Sequence, residues 1–329
     1  MFNRVLCREH LHLRVRLPGG FAPTRPGQFI QLGCRPPDSA LADRPDLLGV
    51  QTCWRPDAPP RLNQLELRQA TALLRRPFSL AGRADEADGA ALLDVIHRVV
   101  GVGTGWLAAL AEGDPIDLLG PLGNCFELPG GTSLGLMVGG GVGLPPMFYL
   151  AEALAEAGWD GVGFIGATTA DLLAVDWEQG AAAPMPEGDP VTSVSQFARF
   201  GFPAVVTTDD GSLGLCGRIT AGLERWLAGA GADAATRRRA VVFTCGPEPM
   251  MRAVAQMAQE AGLDCQVCLE QAMACGMGTC QSCIVRIEHA PAQPDPLTPA
   301  HGHTPDGRAW RYNLACTDGP VFPSHRVVW

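Results

Sequence analysis

Four cysteines toward the C-terminal end of this 329-residue chain stand at a spacing that suits iron: Cys275, Cys280 and Cys283 on one short loop, and Cys316 well beyond it. The pattern is C-x4-C-x2-C, a long gap, then C. Three thiolates on a tight loop can grip one face of a small iron–sulfur cluster, and a distant fourth closes the coordination; this is the plant-type 2Fe–2S spacing. Gly276 and Gly278 fit such a loop, because backbone N–H groups must curl round the sulfides where side chains would crowd them. Zinc is the alternative, but zinc sites usually pair two C-x2-C knuckles, and this loop has one. Cys265 and Cys268 form a further C-x2-C pair upstream and are read as bystanders.

A second set of residues suits a flavin. In Arg76-Pro77-Phe78-Ser79 an Arg and a Ser three residues apart on a strand can place a guanidinium on a diphosphate and a hydroxyl near a flavin ring. Alone, an ordinary strand with a surface Arg has the same four letters. Weight comes from Gly101-Val102-Gly103-Thr104-Gly105 about two dozen residues on, a glycine turn opening a helix, which is a phosphate site. A third set suits a dinucleotide. Gly139-Gly140-Gly141-Val142-Gly143 lies between an apolar strand and a helix, where glycines let a dinucleotide approach the backbone. A purely structural turn is the alternative. Cys245-Gly246-Pro247 ends a later strand, on the crevice side of a parallel sheet where a nicotinamide can lie. No Ser–His–Asp set or carboxylate pair is visible, and no residue is singled out as catalytic. His97 is read as part of a strand, and His301 and His303 as loop residues.

The elements that must position these groups fall into three zones. Residues 1–130 read as short strands (Leu11–Leu17, Gln28–Leu32, Leu92–Val100, Pro115–Leu119), a pattern of barrels and sandwiches. Residues 131–262 alternate strands (Leu134–Val138, Val162–Ile165, Ala240–Thr244) with helices (Pro145–Ala157, Pro249–Ala261), a pattern of parallel sheets with helices on both faces. Residues 263–329 are too few for a large core, so a metal centre would help hold them. The expected architecture is multidomain β plus α/β: an antiparallel flavin-binding β-barrel, a parallel-sheet nucleotide-binding domain and a small C-terminal 2Fe–2S lobe. Arg35–Pro60, Asp176–Pro190 and Ala290–Pro305 read as insertions or surface excursions.

Composition narrows the function further. With 47% hydrophobic and 18% charged residues there is enough apolar material for packed cores. A net charge of -9 argues against a nucleic-acid partner, which needs a basic patch. The N-terminal residues lack an apolar signal-peptide core, so the expected compartment is the cytoplasm. The apolar stretch Leu134–Leu154 carries glycines and Pro145-Pro146, against a membrane span. In a reducing compartment, four cysteines within sixteen residues (Cys268, Cys275, Cys280, Cys283) suggest metal more than disulfides.

In this order the motifs resemble the electron-transfer subunit of class 1B dihydroorotate dehydrogenase, within the ferredoxin–NADP reductase superfamily. The matching passages are Pro26–Phe29, Arg76–Ser79, Gly101–Thr104, Gly120–Gly123, Gly139–Pro146, Asp209–Gly211, Cys245–Met250, Cys275–Cys283 and Cys316–Pro320. The resemblance implies FAD, with Arg76 at the diphosphate, Ser79 near the isoalloxazine, and Gly103 and Thr104 at the phosphates. It also implies NADH as donor, the 2Fe–2S cluster on Cys275, Cys280, Cys283 and Cys316, and an FMN-containing dihydroorotate dehydrogenase catalytic subunit as partner in a heterotetramer of pyrimidine biosynthesis. The stretch Gly166–Asp171, read as the ribose side, holds no Lys or Arg of its own and carries Asp171, which favours NADH over NADPH. The alternative is an NAD(P)H-dependent flavin and iron–sulfur reductase for another acceptor, of oxygenase, ferredoxin or sulfide type. Oxygenase reductases end in a whole ferredoxin domain, and only a dozen residues here separate Gly262 from Cys275. In the sulfide type an Asp commonly replaces the first cluster cysteine. A redox sensor that turns nothing over is a reading from another class, but no DNA-binding or signalling module is visible.

Overall fold

The computed structural model describes residues 2–35, 74–289 and 300–329. Most of the expected insertion Arg35–Pro60, and residues 290–299 of the segment Ala290–Pro305, lie outside the described residues. The first zone consists of β1 (Phe2–Cys7), β2 (His10–Leu17), β3 (Phe29–Leu32), β4 (Arg76–Ser79), β5 (Gly82–Asp85), β6 (Ala91–Arg98), the short helix α1 (Val102–Ala108) and β7 (Leu118–Leu122). They form two antiparallel sheets, ordered β1-β2-β6-β5 and β4-β3-β7. In β2 the period of two is explicit: Leu11, Leu13 and Val15 are buried while His12, Arg14 and Arg16 face outward. Leu13, Val15, Ile30, Leu32, Leu80, Leu93, Val95 and Leu107 pack into the core of this half. The strand expected at Pro115–Leu119 starts three residues later, at Leu118. Proline has no donor for a ladder, and the Asp117 carbonyl instead accepts from Gly33 N.

The second zone begins with β8 (Leu134–Gly140), α2 (Leu144–Glu156) and β9 (Asp160–Ala167). It continues through α3 (Ser195–Ala198), β10 (Ala204–Thr208), β11 (Leu215–Cys216), α4 (Ile219–Ala228), α5 (Ala234–Arg239), β12 (Ala240–Cys245) and α6 (Glu248–Glu260) to β13 (Asp264–Cys268). Then come β14 (Ile284–Glu288), β15 (Gly302–His303) and β16 (Ala309–Leu314), a small antiparallel sheet ordered β14-β16-β15, and finally β17 (Val321–Pro323). The large sheet has the order β11-β10-β9-β8-β12-β13-β17, parallel except at β17. Every residue of β8 is buried, because helices cover both faces of the sheet. Leu134, Leu136 and Val138 pack with α4 and α6, and Met137 with α2. Asp176–Pro190 carries no regular strand or helix, as expected for an excursion. No helix among the described residues is long and apolar enough to cross a membrane.

The expected boundary at 262/263 falls inside this large sheet. β13 and β17 both come from the stretch assigned to the cluster lobe, yet they pair with β12 and with each other. The Cys265-x2-Cys268 pair is therefore a strand of the nucleotide half, with both thiols buried in its sheet.

Candidate functional site

Strand pairing explains how the distant cysteines meet. Cys283 immediately precedes β14, Cys316 follows β16 by two residues, and the register sets Ile284 opposite Leu314. The Ala315 N–H donates to the Cys283 carbonyl at 2.9 Å, and the Cys283 and Cys316 side chains, each 2% exposed, touch. Cys275 and Cys280 form a second couple on the loop, with the N–H groups of Met277 and Cys280 reaching Cys275 Sγ at 3.5 and 3.4 Å. Gly276 and Gly278 have φ of +72° and +84°, the left-handed region such a tight loop needs. Bonds from the Ser282 hydroxyl and N–H lower the exposed Cys280 thiol to about 6, whereas burial and the Cys283 thiol push Cys316 up to about 11. No group of three His, Cys, Asp or Glu side chains among the described residues gathers around one ion. A two-iron cluster asks instead for two thiolates per iron. The couples Cys275/Cys280 and Cys283/Cys316, with N–H donors aimed at sulfur, fit that demand.

The strand expected to carry the flavin is β4, where Ser79 lies opposite Phe29 and Pro77 opposite Gln31. Arg76 is exposed at its start, and among the described residues its guanidinium donates to the Leu74 and Arg75 carbonyls. The guanidinium thus keeps donors for an anion. Phe78 meets the His97 ring edge-on at 6.1 Å. His97 is 2% exposed and neither of its ring nitrogens has a partner among the described residues; burial lowers its pKa to about 4. Orphaned polar atoms beside β4 are what a polar ligand there would satisfy. Thr104 stands at the start of α1 with its hydroxyl turned back, accepting from Val100 N at 2.9 Å and Gly101 N at 3.2 Å. It organises the glycine turn of Gly101 and Gly103.

The crevice expected to take the nucleotide lies where the strand order reverses, between the ends of β8 and β12. Gly139 and Gly140 end β8, and Gly141–Gly143 form a 3-10 turn into α2. A Cβ on Gly143 would come within 2.1 Å of the Cys245 carbonyl oxygen and 2.5 Å of Gly246 N, so the two loops pack backbone to backbone. A hydrogen-bonded pair, Thr24 and Tyr149 at 2.8 Å, ties the first half to α2. At the far end of the crevice, Asp209 N and Asp210 N donate to the carbonyls of Ala167 and Thr168, bringing the two loops after β9 and β10 together.

Two residues that sequence reasoning did not single out stand at this site. Arg8, from the turn after β1, ion-pairs with Asp171 (2.7 Å) and its N–H donates to the Asp171 carbonyl. The stretch expected to be without a cation therefore has one, brought from the far end of the chain, and Asp171 is engaged. Gln31 of β3, 1% exposed, lies against the cysteine loop at Cys275 and Gly276. A polar side chain in the middle of the buried strand Phe29–Leu32 was the one available signal.

No protein-family profile matches the chain. Among curated proteins, it is 36% identical over 262 residues to the electron transfer subunit of dihydroorotate dehydrogenase B (NAD(+)) from Bacillus caldolyticus, covering 79% of this chain and 82% of that one. The proteins of the same name from Geobacillus thermodenitrificans and Desulforamulus reducens are 34% and 33% identical, over 79% and 78% of this chain and 82% and 81% of theirs. Among solved structures, a chain of an NADH-dependent reduced ferredoxin-NADP oxidoreductase superposes with a TM-score of 0.67 at 25% identity, over 100% of this chain and 88% of that one. A cytochrome P450 reductase from Amycolatopsis shares the fold, with a TM-score of 0.51 at 21% identity over 79% of this chain and 64% of its own.

Proposed function

The chain belongs to the family of dihydroorotate dehydrogenase B (NAD(+)) electron transfer subunits, and from that premise we propose that it carries electrons from NADH through FAD and a 2Fe–2S cluster to an FMN-containing dihydroorotate dehydrogenase catalytic subunit, in a heterotetramer. When bound, the flavin accepts a hydride and releases electrons singly, which suits it to stand between a two-electron donor and a one-electron cluster. Arg76 then binds the diphosphate, Pro77, Phe78 and Ser79 form the strand under the ring, and Gly101, Gly103 and Thr104 shape the phosphate turn. Gly139, Gly140, Gly141 and Gly143 admit the dinucleotide, and Cys245 and Gly246 close the nicotinamide end. Cys275, Cys280, Cys283 and Cys316 ligate the cluster. The division is a flavin barrel over residues 1–130, a nucleotide domain over 131–262 completed by β13 and β17, and a cluster lobe formed by the rest of 263–329. We place the protein in the cytoplasm, where thiols stay reduced until a cluster is assembled.

The observation that carries this reading is the pairing of the four thiols, one couple fixed by the β14–β16 register and the other held by N–H donors. The test is anaerobic purification and analysis. About one FAD and two irons per chain are expected, with acid-labile sulfide matching the iron; bound zinc without sulfide would overturn the cluster assignment.

A further inference from the structure

Gln31 sits where the expected flavin strand and the cluster loop meet. Its backbone lies in β3, opposite Pro77 of β4 on one side and Leu119 of β7 on the other. Its side chain, 1% exposed, leaves the sheet toward the loop. There the amide nitrogen donates to the Cys275 carbonyl at 3.2 Å, and the amide oxygen accepts from Gly276 N at 3.3 Å. This is the amide orientation that matches donor to acceptor on both sides. Both bonds fall on one peptide unit, the one that follows the first expected cluster ligand. The approach is close: a Cβ on Gly276 would lie 2.7 Å from the end of the Gln31 amide that faces Gly276 N. The Gly276 N–H is thereby held away from sulfur, while the next donors, Met277 N and Cys280 N, point at Cys275 Sγ.

We propose that Gln31 is the positioning residue of the cluster: it clamps the Cys275–Gly276 peptide to the flavin strand and so sets the N–H···S bonds that tune the cluster's potential. The inference rests on the cluster reading above. Hydrogen bonds to cluster sulfurs are among the determinants of reduction potential, because they stabilise the more negative, reduced form. Loosening the clamp should weaken those bonds and make the cluster harder to reduce.

The test uses the intact chain with its cofactors, purified without air. Iron and sulfide are measured first on the wild type; their absence there would refute the cluster reading, and this one with it. In a redox titration followed by EPR, Gln31→Leu should shift the cluster to lower potential and alter its line shape, with FAD retained. After mixing with NADH, flavin reduction should keep its rate while cluster reduction slows about tenfold or more, the usual scale for loss of an outer-shell partner. Loss of iron with FAD retained would support the clamp equally. If Gln31→Leu loses FAD, Gly276→Ala decides, since it disturbs the same contact from the loop side. A wild-type potential and line shape in an FAD-bearing Gln31→Leu or Gly276→Ala protein would overturn the proposal.

Discussion

Gly143→Ala should separate nicotinamide chemistry from everything else the chain does. The added methyl would stand 2.1 Å from the Cys245 carbonyl oxygen, 2.3 Å from its carbon and 2.5 Å from Gly246 N. All three are backbone atoms, so no rotamer can yield. An ordinary contact begins near 3.4 Å, and the turn after β8 and the loop after β12 must therefore part by about 1.3 Å. Overpacking of this kind costs about 1–3 kcal/mol, and backbone on both sides argues for the upper end. The same opening acts at the crevice proposed for the nicotinamide. A misplacement of about 1 Å can slow a positioned reaction about 10²-fold, and that is the loss expected in flavin reduction by NADH. FAD and iron content should not change, because other elements hold them. The assay is stopped-flow bleaching of the flavin against NADH concentration, with thermal unfolding alongside. Gly130→Ala, where the methyl meets nothing within 4 Å, is the control. A wild-type bleaching rate and half-saturation in Gly143→Ala would refute the placement of the dinucleotide in this crevice.

Cys280→Ser should remove the cluster absorbance and leave FAD largely bound, read by visible spectra and iron analysis; retained iron at about two per chain would contradict the ligand set. Asp171→Asn should release Arg8 from its ion pair and raise kcat/KM for NADPH relative to NADH only modestly, by about threefold, since an exposed charge contact is screened by solvent; steady-state dye reduction with both donors checks it, and an unchanged ratio would show that Arg8 does not face the ribose. His97 is held neutral with its pKa lowered from 6.5 to about 4, so the unfolded chain takes up a proton first as pH falls. Stability of the flavin-free protein should therefore be present above about pH 6.5 and decline toward pH 4 by up to roughly 3 kcal/mol. His97→Phe should flatten that slope in urea unfolding at several pH values, and an identical slope would place the sensitivity elsewhere. Asp94 adds a loss at lower pH: burial pushes its carboxyl up, but the bonds from His12 and Arg14 outweigh this and hold it below the usual range, so its contribution fades only as pH drops under about 4.

What the sequence made legible follows from where the physics is local. β8 with its glycine turn and α2, and β12 with Cys245–Pro247 and α6, were readable because a parallel strand buried on both faces is a continuous apolar run. The cysteine loop was readable because ligand spacing is a short-range property. β1 was not, since Asn3 and Arg4 break its pattern; those side chains are instead spent on long-range bonds, to Leu107 and Asp176. β13 was hidden behind its cysteines, and three-residue β17 is too short to have a period at all. Gln31 and Arg8 reach the site across some 245 and 160 residues of chain, distances at which no pattern in one sequence links two positions. His97 was rightly read as a strand residue, but its two orphaned nitrogens appear only when the packing around β6 and Phe78 is known.

The most direct test of the central claim is coupling of NADH oxidation to orotate reduction in a mixture of this chain and an FMN-containing dihydroorotate dehydrogenase catalytic subunit. The chain alone should reduce dyes with NADH and leave orotate untouched. The mixture should convert orotate to dihydroorotate at the expense of NADH, and Cys280→Ser should abolish that conversion while flavin reduction by NADH proceeds at its normal rate. Orotate turnover by the isolated chain, or undiminished coupling through Cys280→Ser, would contradict the account.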